Sequence, residues 1–141
     1  MSNLNTSLKD TSLIIATYNE EESLPFVLNE IKEYDFGEVI IVDGHSTDNT
    51  EKIAKEYGAT FIKQDEKGWG SAVLQGISFS THKYITYMDG DGSYNPVAIL
   101  EMKSLIQNYD AVFSSRFKDG AKSPDDTFIR AIGNRFFTFL V

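Results

Sequence analysis

The chain has no cysteine, so neither a disulfide nor a thiolate zinc site can organise it, and a reducing compartment suits it. None of its 141 residues belongs to an apolar run of eighteen, the length a membrane-crossing helix requires. The first ten residues lack the basic start and apolar stretch of a secretory leader, and none is expected. Basic residues are the minority, 13 against 21 acidic ones, and the net charge of -8 argues against nucleic acid as a partner. Together these absences point to the cytoplasm or the cytoplasmic face of a membrane. Arginine is missing from the first 115 residues altogether. Its three copies, Arg116, Arg130 and Arg135, all fall in the last 26 residues. Guanidinium forks suit bidentate phosphate contact, which makes that stretch a candidate phosphate site, with solubilising charge as the plainer alternative.

With 41% hydrophobic and 24% charged residues the chain is globular in composition, and short apolar runs alternate with helical periodicity. That alternation predicts βαβ units around a mainly parallel sheet, an α/β fold. Strands are expected at Ser12–Ala16, Val39–Val42, Ala59–Lys63, Tyr84–Met88 and Ala111–Ser114. Between them, Leu24, Val27, Leu28 and Ile31 mark one apolar helix face, with Pro25 in the first turn and Gly37 closing the unit. Asp48 and Glu51 read as a capping box for a second helix, a third runs over Gly70–Ser80, and Asn95-Pro96 opens a fourth that reaches Asn108. The expected division is a polar segment at 1–11, one domain at 12–135, and the start of an apolar helix at 136–141.

The strongest chemical signal is Asp89-Gly90-Asp91-Gly92-Ser93 at the end of the fourth strand. Carboxylates two residues apart on extended backbone point to one side, and open α/β sheets bind ligands beyond their strand ends. Two acids aimed at one place need a cation between them, and with oxygen ligands that cation is Mg²⁺ or Mn²⁺. An EF-hand loop fails because Tyr94 and Leu100 stand where Gly and a bidentate Glu are required. A dehalogenase-type phosphotransferase uses a similar Asp-x-Asp, but on its first strand. A transferase that places a metal on a leaving diphosphate is the third reading. His45 reads as a turn histidine, and Gly68-Trp69-Gly70 lacks the third glycine of a dinucleotide fingerprint. Asp125-Asp126 reads as a helix cap.

Thr17-Tyr18-Asn19-Glu20, the run from Val42-Asp43 to Thr50, Gly68-Trp69-Gly70, Met88 to Asp91 and Ser114-Ser-Arg116-Phe117 occur in order. Together they resemble family 2 glycosyltransferases of the GT-A fold, and within that family the polyprenyl-phosphate sugar transferases related to dolichol-phosphate mannose synthase. The resemblance implies a nucleoside-diphosphate sugar donor and a polyprenyl-phosphate acceptor. It places Ala16, Tyr18, Glu20, Val42, Asp43 and Gly90 around the nucleotide and Asp89, Asp91 and Ser93 around the metal. Arg116 and Arg130 would hold the acceptor phosphate, and Asp89, Asp91 and the two arginines form the catalytic set. The apolar ending, Phe136 to Val141, would then meet a membrane surface. Ala16 departs from the family, which often has Pro there; Ser93 stands where some members have Gln, and Gly44-His45 replaces a commoner acidic pair. A saccharide or other soluble acceptor is the alternative within the family.

Overall fold

A computed structural model describes residues 7–114. Four parallel strands form one sheet in the order β3-β2-β1-β4: β1 (Leu8–Thr17), β2 (Phe36–Asp43), β3 (Thr60–Lys63) and β4 (Tyr84–Asp89). Helices α1 (Leu24–Ile31), α2 (Thr50–Glu56), α3 (Trp69–Phe79) and α4 (Val97–Leu105) follow the four strands in turn. The α/β architecture read from the sequence is therefore the one observed.

The central strands are apolar on both faces because both faces are covered. Ile14 and Ile15 of β1 stand level with Ile40 and Ile41 of β2, and successive residues point to opposite sides. Leu13, Ile15, Ile41 and Met88 join the core with Leu24, Val27, Leu28 and Ile31 of α1, Ala54 of α2, and Ile99 and Leu100 of α4. Ile14, Ile40 and Val42 meet Ala72 of α3 on the other face. There the helix lies so close that a Cβ on Gly76 would fall 2.5 Å from Ile14 Cγ2, which explains a glycine in mid-helix.

Local signals behave unevenly. Asn95 caps α4 as expected, its Oδ1 accepting the Val97 N–H at 2.9 Å, and a 3₁₀ turn carries the chain on to Asn108. The capping box does not form. Asn49 occupies the cap position, Asp48 accepts from Thr50 N and Oγ1 at 3.0 and 2.6 Å, and Glu51 pairs with Lys55 and Lys63 instead. Asp35, at φ 48°, ends the turn after α1, and Gly37 lies inside β2. The expected fifth strand is also corrected: residues 109–114 have no regular structure. A strand exists through its ladder, and among the described residues none pairs with this segment. The backbone divides after Ser104 into two units, and these residues belong to the second. Arg116, Arg130, Arg135 and the 136–141 segment lie outside the described residues.

Candidate active site

The chain order places β2 and β3 on one side of β1 and β4 on the other, so β1 and β4 flank the point where the sheet reverses direction of growth. A cleft of about 730 Å³ opens there, over the carboxyl ends of the strands. Ala16, Thr17, Tyr18 and Glu20 line it after β1, Gly44 and His45 after β2, Gln64, Lys67, Gly68 and Trp69 after β3, and Asp89 and Asp91 after β4. The sheet's ladder holds these ends together: Gly44 N–H donates to Thr17 O at 2.8 Å, Gln64 N–H to Asp43 O at 2.8 Å, and Gly90 N–H to Ala16 O at 3.0 Å.

Of the residues singled out from the sequence, Ala16, Tyr18, Glu20, Asp89 and Asp91 meet in this cleft. Val42 and Asp43 do not line it. Asp43 is 1% exposed, and its carboxylate accepts from Thr17 Oγ1 at 3.2 Å, Ser46 N at 2.8 Å and Ser46 Oγ at 2.5 Å. It braces the Gly44-His45 turn, in which His45 holds φ 67° and its Nε2–H meets Gln64 O at 2.9 Å. Gly90 contributes its backbone to the ladder. Ser93 is exposed and gives its N–H to Asp91 Oδ1 at 2.9 Å, closing a small turn around that carboxylate.

Much of the motif after β1 and β2 serves to lock two loops together. Asn19 N–H donates to Ser46 Oγ at 2.8 Å, and Thr47 N–H returns to Asn19 Oδ1 at 2.9 Å. Glu20 N–H reaches Thr50 Oγ1 at 2.9 Å, and Glu21 N–H reaches Asp48 Oδ2 at 3.0 Å. Burial alone would push the Asp48 carboxyl up, but hydrogen bonds from Thr50 and Glu21 outweigh it and hold its pKa below the usual value. The loops after β1 and β2 are thus tied to each other by polar bonds.

Two aromatic side chains at the cleft stay open to solvent, Tyr18 at 63% and Trp69 at 50% exposure. Trp69 is the first residue of α3. Its indole N–H donates to Asp89 Oδ1 at 2.5 Å, and its ring meets Tyr87 edge-on with centroids 5.3 Å apart. Gly68 enters the cleft with the Gly68-Trp69-Gly70 motif, and Gln64 and Lys67, which sequence reading did not assign, line it too. Gln64 carried one usable signal, a polar residue closing an apolar strand.

Among the described residues, three carboxylates, Glu20, Asp89 and Asp91, line the cleft against one lysine, Lys67. An anionic ligand cannot enter such a site alone. Among the described residues no cluster of three or more His, Cys, Asp or Glu could hold a metal by itself. The pair Asp89 and Asp91 fits Mg²⁺ or Mn²⁺, which need one or two carboxylates and take further oxygens from water and a ligand's phosphates.

An open parallel sheet with an acidic, aromatic-edged cleft at its reversal point is the arrangement in which open α/β domains bind their ligands. The model of the family described as Glycosyl transferase family 2 matches residues 12–140, and the chain belongs to that family. It is 32% identical over 133 residues to glycosyltransferase AglJ of Haloferax volcanii, covering 91% of this chain and 44% of that protein. It is 33% identical over 117 residues to the dolichyl-phosphate hexose transferase of the same organism, covering 81% and 51%. The chain therefore spans about half the length of these relatives. Among solved structures, glucosyl-3-phosphoglycerate synthase from Mycobacterium tuberculosis with Mn²⁺, UDP and glucosyl-3-phosphoglycerate gives a TM-score of 0.60 at 20% identity, covering 70% of this chain and 39% of that one. The same enzyme with UDP alone gives 0.62 at 20% identity, covering 71% and 40%. These likenesses establish the fold, GT-A, as the sequence motifs implied. Family membership leaves no place for the dehalogenase-type alternative.

Proposed function

We propose that the protein transfers a sugar, with inversion, from a nucleoside-diphosphate sugar to a polyprenyl phosphate. The observation that carries the donor half is the acidic cleft at the β1/β4 reversal, where Asp89 and Asp91 face a space that a diphosphate can share only with a cation. When bound there, Mg²⁺ or Mn²⁺ supplies positive charge against the diphosphate as it departs. Asp89 and Asp91 hold that ion, Tyr18 and Glu20 border the nucleoside, and Asp43 shapes the turn beside it. The solved neighbours that carry UDP with Mn²⁺ or Mg²⁺ support this donor assignment.

A phosphate acceptor suits the same chemistry. Its oxygen is ionised at neutral pH, attacks the anomeric carbon and displaces the nucleoside diphosphate, so no side chain has to remove a proton. What it needs is charge compensation, and Arg116 and Arg130 are assigned to it. The relative named as a dolichyl-phosphate hexose transferase supports a lipid phosphate. A soluble acceptor is the second reading, favoured by the solved neighbour in complex with phosphoglyceric acid. Among the described residues no helix is long and apolar enough to cross a membrane.

Sugar transfer to a short polyprenyl phosphate, compared with a saccharide and a small phosphorylated acid, tests the acceptor. Arg116→Lys and Arg130→Lys keep the charge and lose the fork, and transfer to the lipid should fall about thirtyfold, roughly 2 kcal/mol, with donor affinity unchanged. Wild-type transfer by both variants would leave the soluble acceptor as the better reading.

A further inference from the structure

Trp69 is the single tryptophan of the chain, and it sits where a loop, a helix and the cleft's acidic pair meet. It is the first residue of α3, directly after Gly68, whose φ of 116° turns the backbone into the helix. The loop that delivers it is pinned from two sides. Gln64 gives its amide protons to Glu66 O and, at 2.6 Å, to Gly68 O. From α3, Gln75 accepts the Asp65 N–H at 3.0 Å and donates to Lys63 O at 3.2 Å. Tyr87, two residues before Asp89 on the same side of β4, backs the indole edge-on. Half of the tryptophan's surface nevertheless remains in solvent, so burial does not explain its placement.

From this geometry we infer that Trp69 is a positioning residue for Asp89: its indole N–H fixes Oδ1 so that Oδ2 is directed to the cation. The inference rests on the donor half of the proposed function. An indole is suited to this task because its nitrogen can donate and cannot accept, which sets the direction of the bond. It also carries no charge. A lysine or arginine in its place would neutralise Asp89 and repel the ion that the carboxylate has to bind, whereas a neutral donor orients the group and leaves its charge available.

The test uses the 141-residue chain, UDP and GDP as probes, and Mn²⁺ or Mg²⁺. Nucleotide affinity is measured by calorimetry with and without metal for wild type, Trp69→Phe, Trp69→Ala and Asp89→Asn, and thermal unfolding is followed for each. Trp69→Phe keeps a ring against Tyr87 and removes only the donor. It should lose about tenfold of the metal-dependent affinity, the usual effect of deleting an outer partner of a metal ligand, and keep metal-free nucleotide binding and melting temperature. Trp69→Ala should show the same tenfold loss. Full metal-dependent affinity in Trp69→Phe, with a loss in Trp69→Ala alone, would make the residue a packing element and overturn the inference. Tryptophan emission gives an independent reading: adding Mg²⁺ to the nucleotide-bound protein should change it in wild type and leave it unchanged in Asp89→Asn. A wild type whose nucleotide affinity ignores metal would defeat the donor assignment itself, which distinguishes that failure from a failure confined to Trp69.

Discussion

The two ends of the parallel sheet both gather carboxylates, and they use them in opposite ways. At the amino end, Glu38 accepts from Ser12 Oγ at 2.5 Å, Thr81 N at 2.7 Å, Thr81 Oγ1 at 3.0 Å and His82 Nδ1 at 3.0 Å. All four contacts fall on one oxygen and tie β1, β2 and the approach to β4 together. At the carboxyl end, Asp89 accepts from the Trp69 indole N–H and Asp91 from Ser93 N–H, and both side chains line the cleft. A carboxylate surrounded by donors of its own chain is a structural clamp, whereas one with oxygens left over in a cleft is a ligand in waiting. The sheet places them at opposite poles because ligands approach only where strand ends diverge into loops.

The largest expected effect lies at the amino pole. Burial would raise the Glu38 carboxyl, but the hydrogen bonds from Ser12, Thr81 and His82 outweigh it and hold its pKa down at about 2, against an ordinary 4.5. Because the folded value is the depressed one, this stabilisation is complete above pH 4.5 and is lost as the pH falls toward 2. Glu38→Ala should lower stability by about 3 kcal/mol at pH 7 and flatten the acid limb of the stability curve, with nucleotide affinity unchanged. Urea unfolding from pH 7 down to pH 3 measures both. An acid limb of wild-type steepness in the variant would remove Glu38 as its source.

The second effect belongs to the cleft and should run the other way. Asp91→Asn removes one charge from a site that needs it for a cation, and metal-supported affinity for a nucleoside diphosphate should drop about thirtyfold, roughly 2 kcal/mol. Stability should stay as it was or rise, because two facing carboxylates no longer repel. Calorimetry with and without Mn²⁺, set beside a melting curve, separates the two poles. Equal metal dependence in variant and wild type would take Asp91 out of the site.

The legibility of the sequence follows the same division. Strand cores were readable because a buried parallel strand has to be apolar on both faces, as Ile14-Ile15 and Ile40-Ile41 are. The acidic pair was readable because Asp89 and Asp91 share one strand end. Glu38, Ser12, Thr81 and His82 were not, since they lie up to 70 residues apart and meet only through strand register. Trp69 was ambiguous for the same reason: the spacing from Trp69 to Asp89 carries no information about an indole meeting a carboxylate. The fifth strand misled because apolar character in Ala111, Val112 and Phe113 supplies a strand's faces without its partner.

Asp43 is the residue on which the comparison can break, because it stands at the cleft pole yet is bonded like a clamp. Its carboxylate is buried and meets three donors from Thr17 and Ser46, so by its surroundings it belongs with Glu38. By its position, at the end of β2 beside the Gly44-His45 turn, it belongs with Asp91. Asp43→Asn retains one acceptor oxygen and sets an amide against Ser46, so stability should fall by about 1 kcal/mol, less than for Glu38→Ala. Nucleotide affinity should fall only a few-fold, and equally with and without metal, because the disturbed turn is proposed to border the nucleoside and not the ion. A stability loss with no change in either affinity would class Asp43 as a clamp alone. A larger drop in the metal-supported affinity would show instead that the charge at the end of β2 is felt by the cation, and the division between saturated and open carboxylates would then have to be drawn by distance from the ion, not by hydrogen bonding.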